Sequence, residues 1–138
     1  MRRIFLDTSY LIAITDPGDN LHQQALAVSE RLGVYFAVTS EMVLTELLNY
    51  FSSRGAFFRR MALEITNDLG GDSNAEIVPQ TSEQFKKALS FYQQRLDKEY
   101  SLTDCASMLI MQEQGIRDVL TYDKHFQQEG FNALLREN

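Results

Sequence analysis

The chain begins with an apolar run, Ile4-Phe5-Leu6, that ends at a carboxylate, Asp7. Because the run has no polar alternation, it predicts a strand covered on both faces, as in a parallel sheet with helices on either side. In such sheets ligands bind beyond the carboxyl ends of the strands, and Asp7 would lie at that end. Taken alone, Asp7 is equally well explained as the cap or turn residue before a helix that begins near Thr8-Ser9.

Strands and helices continue to alternate along the chain. A continuous apolar run at residues 34–39 predicts a second strand, short segments at 76–78 and 118–120 predict two more, and amphipathic segments lie between them. Strand, helix, strand in this order indicates parallel pairing with right-handed crossovers. We therefore predict an α/β fold of three layers, in which helices flank a short, mainly parallel central sheet of about four to five strands.

Two helical segments carry more specific predictions. The helix that starts near Arg54 is expected to end at Gly70-Gly71, a flexible turn. The helix that follows Thr81 has an apolar stripe that we expect to face the core, formed by Phe85, Ala88, Leu89, Tyr92 and Leu96.

Length and composition predict a single folded domain spanning residues 1–138. The chain is 44% hydrophobic and 11% aromatic, which is enough for a substantial core. We find neither a secretory signal nor an apolar stretch near the roughly 20 residues that a membrane span needs. The lone Cys105 cannot form an internal disulfide, in agreement with a reducing compartment. We expect a cytoplasmic protein with no membrane partner.

The net charge of -6 argues against a protein whose whole surface binds nucleic acid. A local basic patch is still possible, and Arg54, Arg59, Arg60 and Lys124 are the candidates for phosphate contacts. A solvated helical face is the favoured interpretation of the three arginines. Because no Walker or GxGxxG motif occurs in the sequence, the common nucleotide-binding motifs are excluded.

Carboxylates recur where ligands could be bound. Asp7 and Asp123 follow strands whose ends would be neighbours, Glu46 lies beside the apolar face of a helix, and Asp104 opens a largely apolar helix that ends at Gly115. Four carboxylates that converge repel one another, so convergence implies a cation. Oxygen ligands without a Cys or His cluster favour Mg²⁺ or Mn²⁺ over zinc.

These residues match the motifs of a known family, and the chain resembles the PIN domain. Within that family it is most similar to the small ribonuclease toxins of bacterial toxin–antitoxin pairs, called VapC. The resemblance extends from Ile4 to Phe126, and Cys105 stands where Ala is more usual. The matching segments are Phe5-Leu6-Asp7-Thr8-Ser9, Val43-Leu44-Thr45-Glu46-Leu47, Leu102-Thr103-Asp104-Cys105 and Thr121-Tyr122-Asp123-Lys124-His125-Phe126.

The resemblance implies a PIN-like fold and a metal-dependent endoribonuclease. Asp7, Glu46, Asp104 and Asp123 would hold Mg²⁺ or Mn²⁺ directly or through water. Thr8 and Thr121 would orient those ligands, in line with the role of outer residues at metal sites. The implied partners are an RNA substrate, a cognate antitoxin protein and a second copy of the chain in a homodimer.

Two other classes stay open. A receiver-type phosphoacceptor domain also has an acidic pocket on a parallel sheet, but it needs adjacent acidic residues after the first strand and an Asp after the third. Here Asp7 stands alone, and Ile77-Val78-Pro79 supplies no Asp. The other class is a catalytically silent PIN-fold module that binds RNA or protein. Retention of all four acidic residues argues against that class.

Overall fold

The strand that contains Phe5 lies at the centre of the sheet. The structure is a computed structural model that describes residues 1–136. Within those residues the strands are β1 (Arg3–Leu6), β2 (Phe36–Ser40), β3 (Ala75–Val78), β4 (Asp118–Leu120) and β5 (Asn132–Ala133). They form one five-stranded sheet in the order β3-β2-β1-β4-β5, and every pairing is parallel. The predicted α/β class and mainly parallel sheet are confirmed.

Burial of β1 explains why its sequence does not alternate. Ile4 and Phe5 are completely buried, so both faces of the strand are covered, as the apolar run predicts. Leu6 pairs with Leu120, and the next N–H, that of Asp7, donates to the carbonyl of Leu120 over 3.2 Å. The ends of β1 and β4 therefore lie side by side, which brings the residues after both strands to the same edge.

Seven helices among the described residues flank this sheet. They are α1 (Thr8–Thr15), α2 (His22–Leu32), α3 (Glu41–Tyr50), α4 (Gly55–Gly71), α5 (Ser82–Gln93), α6 (Leu102–Gln114) and α7 (Lys124–Gln128), and a 3₁₀ turn follows at Leu134–Arg136. The core joins residues of β1, β2 and β4 to residues of these helices, among them Leu11, Leu47 and Met108. In residues 1–136 there is no helix both long enough and apolar enough to span a membrane.

Strand order separates this fold from the receiver class. Receiver domains have the order 2-1-3-4-5, in which the chain reverses between the first and third strands. Here β1 lies between β2 and β4. The sheet therefore excludes the receiver interpretation.

Hydroxyl caps define where the helices near the sheet edge begin. Ser40 Oγ accepts a hydrogen bond from the N–H of Val43 over 3.1 Å at the start of α3. Ser101 caps α6 in a capping box, in which its Oγ accepts from the N–H of Asp104 and its own N–H donates to Asp104 Oδ2, each over 3.0 Å. These caps fix the backbone positions from which Glu46 and Asp104 project.

The end of α4 and the presence of β5 differ from prediction. Helix α4 does not end before the Gly70-Gly71 pair. Both glycines keep helical backbone angles, and the helix runs through Gly71. Glycine is tolerated there because the last turn of a helix contributes little hydrogen bonding. Strand β5 was not predicted, since two residues carry no hydrophobic pattern.

The predicted inward stripe of α5 was largely wrong. Phe85, Leu89, Tyr92 and Leu96 are 43%, 48%, 43% and 74% exposed, whereas Ala88 is buried as expected and Phe91 is buried with it. Arg95, in the turn after α5, continues this inward side with a charged residue, so counting apolar residues favours the other stripe.

An ion pair makes that buried face possible. Arg95 donates to Glu129 over 2.7 and 3.1 Å, and its guanidinium lies 3.6 Å from the centre of the Phe91 ring. Because its charge is paired with Glu129 and the flat face of its guanidinium is stacked on Phe91, Arg95 can pack inward at low cost.

Candidate functional site

Asp7 lies at the carboxyl end of β1 and is only 5% exposed. Its Oδ2 accepts hydrogen bonds from Thr121 Oγ1 over 2.7 Å and from Ser9 Oγ over 3.0 Å. Burial raises the pKa of Asp7 from 3.8 to about 6, and the charge of Asp104 acts in the same direction. The two hydroxyl donors oppose that rise only in part. A carboxylate in this position is stabilised by a cation.

Asp104 projects from the first turn of α6 toward the same edge. Its side chain is 13% exposed, and burial together with the neighbouring Asp123 raises its pKa. The N–H of Ser101 and the ring of His125 partly offset that rise. Asp104 is therefore both a helix-capping residue and a desolvated acid, and the two roles do not compete because each uses the same inward orientation.

Asp123 follows β4 and caps α7. Its Oδ1 accepts from the N–H of His125 over 2.9 Å, and its own N–H donates to Thr121 Oγ1 over 3.0 Å. The His125 ring turns back over this cap. Its Nδ1 lies 3.3 Å from Asp104 Oδ2 and 3.2 Å from Asp123 Oδ1. One ligand atom each of Asp104, Asp123 and His125 lies within 4.8 Å of the others.

Glu46 reaches the site from α3. Its Oε1 accepts a hydrogen bond from Thr8 Oγ1 over 2.6 Å, and Thr8 is the residue after Asp7. The side chain is half-buried. This bond holds the carboxylate of Glu46 at the start of α1.

The donor set fits a divalent ion that prefers oxygen. Burial is the largest cause of the raised pKa of both Asp7 and Asp104, and a neighbouring carboxylate raises each pKa further, Asp104 for Asp7 and Asp123 for Asp104. A cation relieves both effects at once, because it replaces lost hydration and neutralises the repulsion. Carboxylate oxygens are the ligands that Mg²⁺ and Mn²⁺ prefer.

Sequence comparison identifies the fold family. The family model for the PIN domain matches residues 4–132. The chain belongs to the PIN-domain family. No curated protein sequence matches this PIN domain significantly.

Solved structures resemble this PIN domain over nearly its whole length. The VapC20 toxin of Mycobacterium tuberculosis, which cleaves the sarcin–ricin loop, is 24% identical, with a TM-score of 0.81 over 93% of this chain and 95% of that one. FitAcB from Neisseria gonorrhoeae is 16% identical, with a TM-score of 0.64 and coverage of 94% and 95%. A toxin–antitoxin complex from Klebsiella pneumoniae is 14% identical, with a TM-score of 0.60 and coverage of 88% and 87%. At these identities the likeness establishes the fold.

The basic residues proposed for RNA contact have different surroundings in this PIN domain. Arg54 Nη1 is bound to Asp16 Oδ2 over 2.9 Å, and its guanidinium lies 4.6 Å from the centre of the Phe58 ring. Arg59 Nη1 donates to the carbonyl of Ser52 over 2.9 Å and is exposed.

Arg59 and Arg60 line a groove of about 370 Å³ with Leu48, Ala56 and Leu63. Lys124 is exposed beside His125 and lines a polar pocket of about 300 Å³ that also contains Lys98. The four predicted contacts therefore fall in three separate places, and none of them is inside the acidic site.

Two residues of the site were missed by sequence reasoning. The motif that contains His125 gave it no separate role, although the ring of a histidine two positions after an Asp at a strand end can fold back over that Asp. Ser9 was treated as a helix start, but its hydroxyl contacts both Asp7 and, over 3.1 Å, Thr121. The Asp-Thr-Ser spacing carries that signal, because a residue two positions after a capping Asp can reach its side chain.

Proposed function

We propose that this PIN domain is a metal-dependent endoribonuclease that hydrolyses RNA phosphodiester bonds and acts as the toxin of a toxin–antitoxin pair. The observation that carries the proposal is the convergence of Asp104 and Asp123, which have ligand atoms within 4.8 Å of each other, beside the buried Asp7, whose pKa the charge of Asp104 raises. Thr8 holds Glu46 next to Asp7. The cytoplasm is its expected location, and residues 1–138 are its expected catalytic unit.

In this mechanism Asp7, Glu46, Asp104 and Asp123 hold Mg²⁺ or Mn²⁺, directly or through water. A bound divalent ion polarises the scissile phosphate and lowers the pKa of an attacking water. Thr121 and Ser9 keep Oδ2 of Asp7 in place through their hydrogen bonds, and Thr8 does the same for Glu46. Burial of Asp7 excludes competing water from its side of the site.

The substrate class follows from the family and from one relative. VapC20, the relative with the highest TM-score of the three described above, is a toxin that cleaves the sarcin–ricin loop. RNA loops expose unpaired nucleotides and a flexible backbone, which lets a phosphate approach an edge site. We propose that RNA is also the substrate of this chain. The residues expected to contact RNA phosphates outside the acidic site are Arg59, Arg60 and Lys124.

An antitoxin partner is the proposed means of control. Two structural relatives are a toxin–antitoxin complex and FitAcB, which supports a partner protein for this chain. Carboxylates spaced for a cation also accept an Arg or Lys side chain, and Arg can bridge two of them. A partner residue of that kind over Asp7, Asp104 and Asp123 would exclude both metal and RNA.

A homodimer is proposed through the exposed stripe of α5. Phe85, Leu89 and Tyr92 on α5 recur in steps of four and three residues, which is the spacing of a helix–helix seam, and Leu96 follows in the turn after the helix. A two-fold axis between Leu89 and Tyr92 would match Leu89 with the partner's Tyr92. Self-complementarity of this kind is what a two-fold interface requires.

The test compares two carboxylate-to-amide changes. Purified protein is treated with EDTA and then incubated with Mg²⁺ or Mn²⁺ and two RNAs, a sarcin–ricin hairpin and total RNA. Asp104→Asn should abolish cleavage, whereas Asp97→Asn, an exposed acid near the site, should leave the rate within about twofold. RNA binding without cleavage by the wild type would support the silent binding module instead. A fully active Asp104→Asn variant would overturn the site assignment.

A further inference from the structure

A histidine converges with the acids on the site. We propose that His125 is itself a metal ligand of this PIN domain, so that its ion is held by an imidazole nitrogen as well as by carboxylates. The proposal rests on the metal-dependent function given above and specifies which atoms hold the ion. It differs from the four-acid set that the family resemblance implies.

The separations fit a shared ion. His125 Nδ1 is 3.3 Å from Asp104 Oδ2 and 3.2 Å from Asp123 Oδ1, so one nitrogen faces one oxygen of each acid. Neighbouring ligands of an octahedral ion lie about 3 Å apart when each is about 2.1 Å from it. The two distances from His125 Nδ1 are close to that spacing, and one ligand atom of each of the three residues lies within 4.8 Å of the others.

Contacts with neighbouring residues hold the His125 ring in that orientation. The backbone N–H of His125 donates to Asp123 Oδ1, and the centre of its ring is 5.4 Å from the centre of the Tyr100 ring. The hydroxyl of Tyr100 donates to Glu129 over 3.1 Å, and Glu129 is paired with Arg95. A ligand supported by packing and by outer hydrogen bonds loses little freedom when it binds an ion.

The consequence is metal preference. Mg²⁺ prefers oxygen ligands throughout, whereas imidazole is the commonest side-chain ligand of transition ions. A nitrogen in the ligand set should therefore raise the affinity for Mn²⁺ relative to Mg²⁺. The neighbouring acids keep the site open to Mg²⁺ as well.

The experiment records pulsed electron paramagnetic resonance of the Mn²⁺-loaded full chain, without substrate. Histidine nitrogen bound to Mn²⁺ produces a ¹⁴N modulation, and labelling with ¹⁵N-histidine replaces it with a ¹⁵N pattern. Since the chain contains two histidines, His22→Gln is the matched control. His125→Phe keeps a ring against Tyr100 but removes both nitrogens.

We expect a histidine nitrogen signal in the wild type and in His22→Gln, and its loss in His125→Phe. Calorimetry should give Mn²⁺ binding about tenfold weaker in His125→Phe, with a smaller change for Mg²⁺. Bound Mn²⁺ without any histidine coupling in the wild type would overturn the ligand role while leaving the proposed function intact. That spectrum needs no variant, so misfolding of His125→Phe does not affect it. Failure of Mn²⁺ and Mg²⁺ to bind at all would overturn the metal-dependent function as well.

Discussion

Thr121 donates from Oγ1 to Oδ2 of Asp7 over 2.7 Å and so ties the end of β4 to the end of β1. The same oxygen accepts the N–H of Asp123 over 3.0 Å. One hydroxyl therefore positions two acids that lie more than a hundred residues apart in the sequence. The relationship depends on adjacent parallel strands, because only neighbouring strand ends bring these groups within reach.

Removing this hydroxyl should weaken metal binding. Thr121→Val keeps the side-chain shape but leaves Asp7 without its shortest hydrogen bond, so we expect Mn²⁺ affinity to fall about tenfold to a hundredfold. Thr121→Ser should stay within about threefold of the wild type. Thr39→Val is a matched control, since Thr39 is also buried and its hydroxyl donates to the Leu6 carbonyl over 2.9 Å. Equal losses for Thr39→Val and Thr121→Val would point to general destabilisation.

The raised pKa of Asp7 predicts how stability changes with pH when no metal is bound. The pKa is about 6 in the folded protein and 3.8 in the reference state, so the folded protein binds more protons between those values. The contribution of Asp7 to the free energy of unfolding therefore falls, by about 3 kcal/mol at most, as the pH rises from about 4 to about 6. Asp7→Asn removes the charge and should be more stable than the wild type at pH 7.5, by about 1 to 3 kcal/mol.

Urea unfolding in EDTA at pH 4 and pH 7.5 measures the difference in stability between Asp7→Asn and the wild type, which should disappear at pH 4. Asp16→Asn is the control of opposite sign. The N–H of Gly18 and the guanidinium of Arg54 lower the pKa of Asp16, so its neutral variant should lose stability at pH 7.5. If Asp7→Asn is the less stable protein at pH 7.5, burial of a repelled charge is not the dominant effect at this position.

Local sequence was sufficient to predict the strand ends, but not every packing partner. An uninterrupted apolar run predicted β1, and the short segment at residues 118–120 predicted β4. The inward side of α5 could not be predicted, because Arg95, in the turn after the helix, packs inward only through its ion pair with Glu129, which lies 34 residues further along the chain. His125 was missed for a related reason: its orientation depends on Tyr100 and on the fold of α7.

The arginines of α4 should differ in their effect on RNA binding. Arg59→Gln with Arg60→Gln should weaken binding to all RNAs and reduce the slope of log affinity against log salt by roughly 1 to 2. Arg54→Gln should instead lower stability, since Arg54 is paired with Asp16 and stacked on Phe58. Filter binding at several salt concentrations with the inactive Asp104→Asn protein avoids cleavage. An unchanged slope for the double variant would return these arginines to the role of a solvated face.

Ser107 offers a test of core packing in α6. Its side chain is fully buried, and among residues 1–136 its hydroxyl has no hydrogen-bond partner. Burial of an unpaired hydroxyl is unfavourable, so Ser107→Ala should raise the unfolding free energy by about 1 kcal/mol. Thermal and urea unfolding measure the change, and exposed Ser90→Ala on α5 should have no effect. A loss of stability in Ser107→Ala would mean that the hydroxyl is bound by water in solution.

The α5 stripe predicts self-association that a single charge can prevent. Leu89 is 48% exposed near the centre of the stripe, so Leu89→Glu should fold normally yet place like charges at a two-fold interface. Leu63→Glu on α4 is a matched control at 51% exposure. Sedimentation velocity at micromolar concentration should give a dimer for the wild type and Leu63→Glu, and a monomer for Leu89→Glu.

A monomeric wild type would exclude the α5 interface altogether, and Leu63→Glu behaving like Leu89→Glu would assign the dimer to another surface.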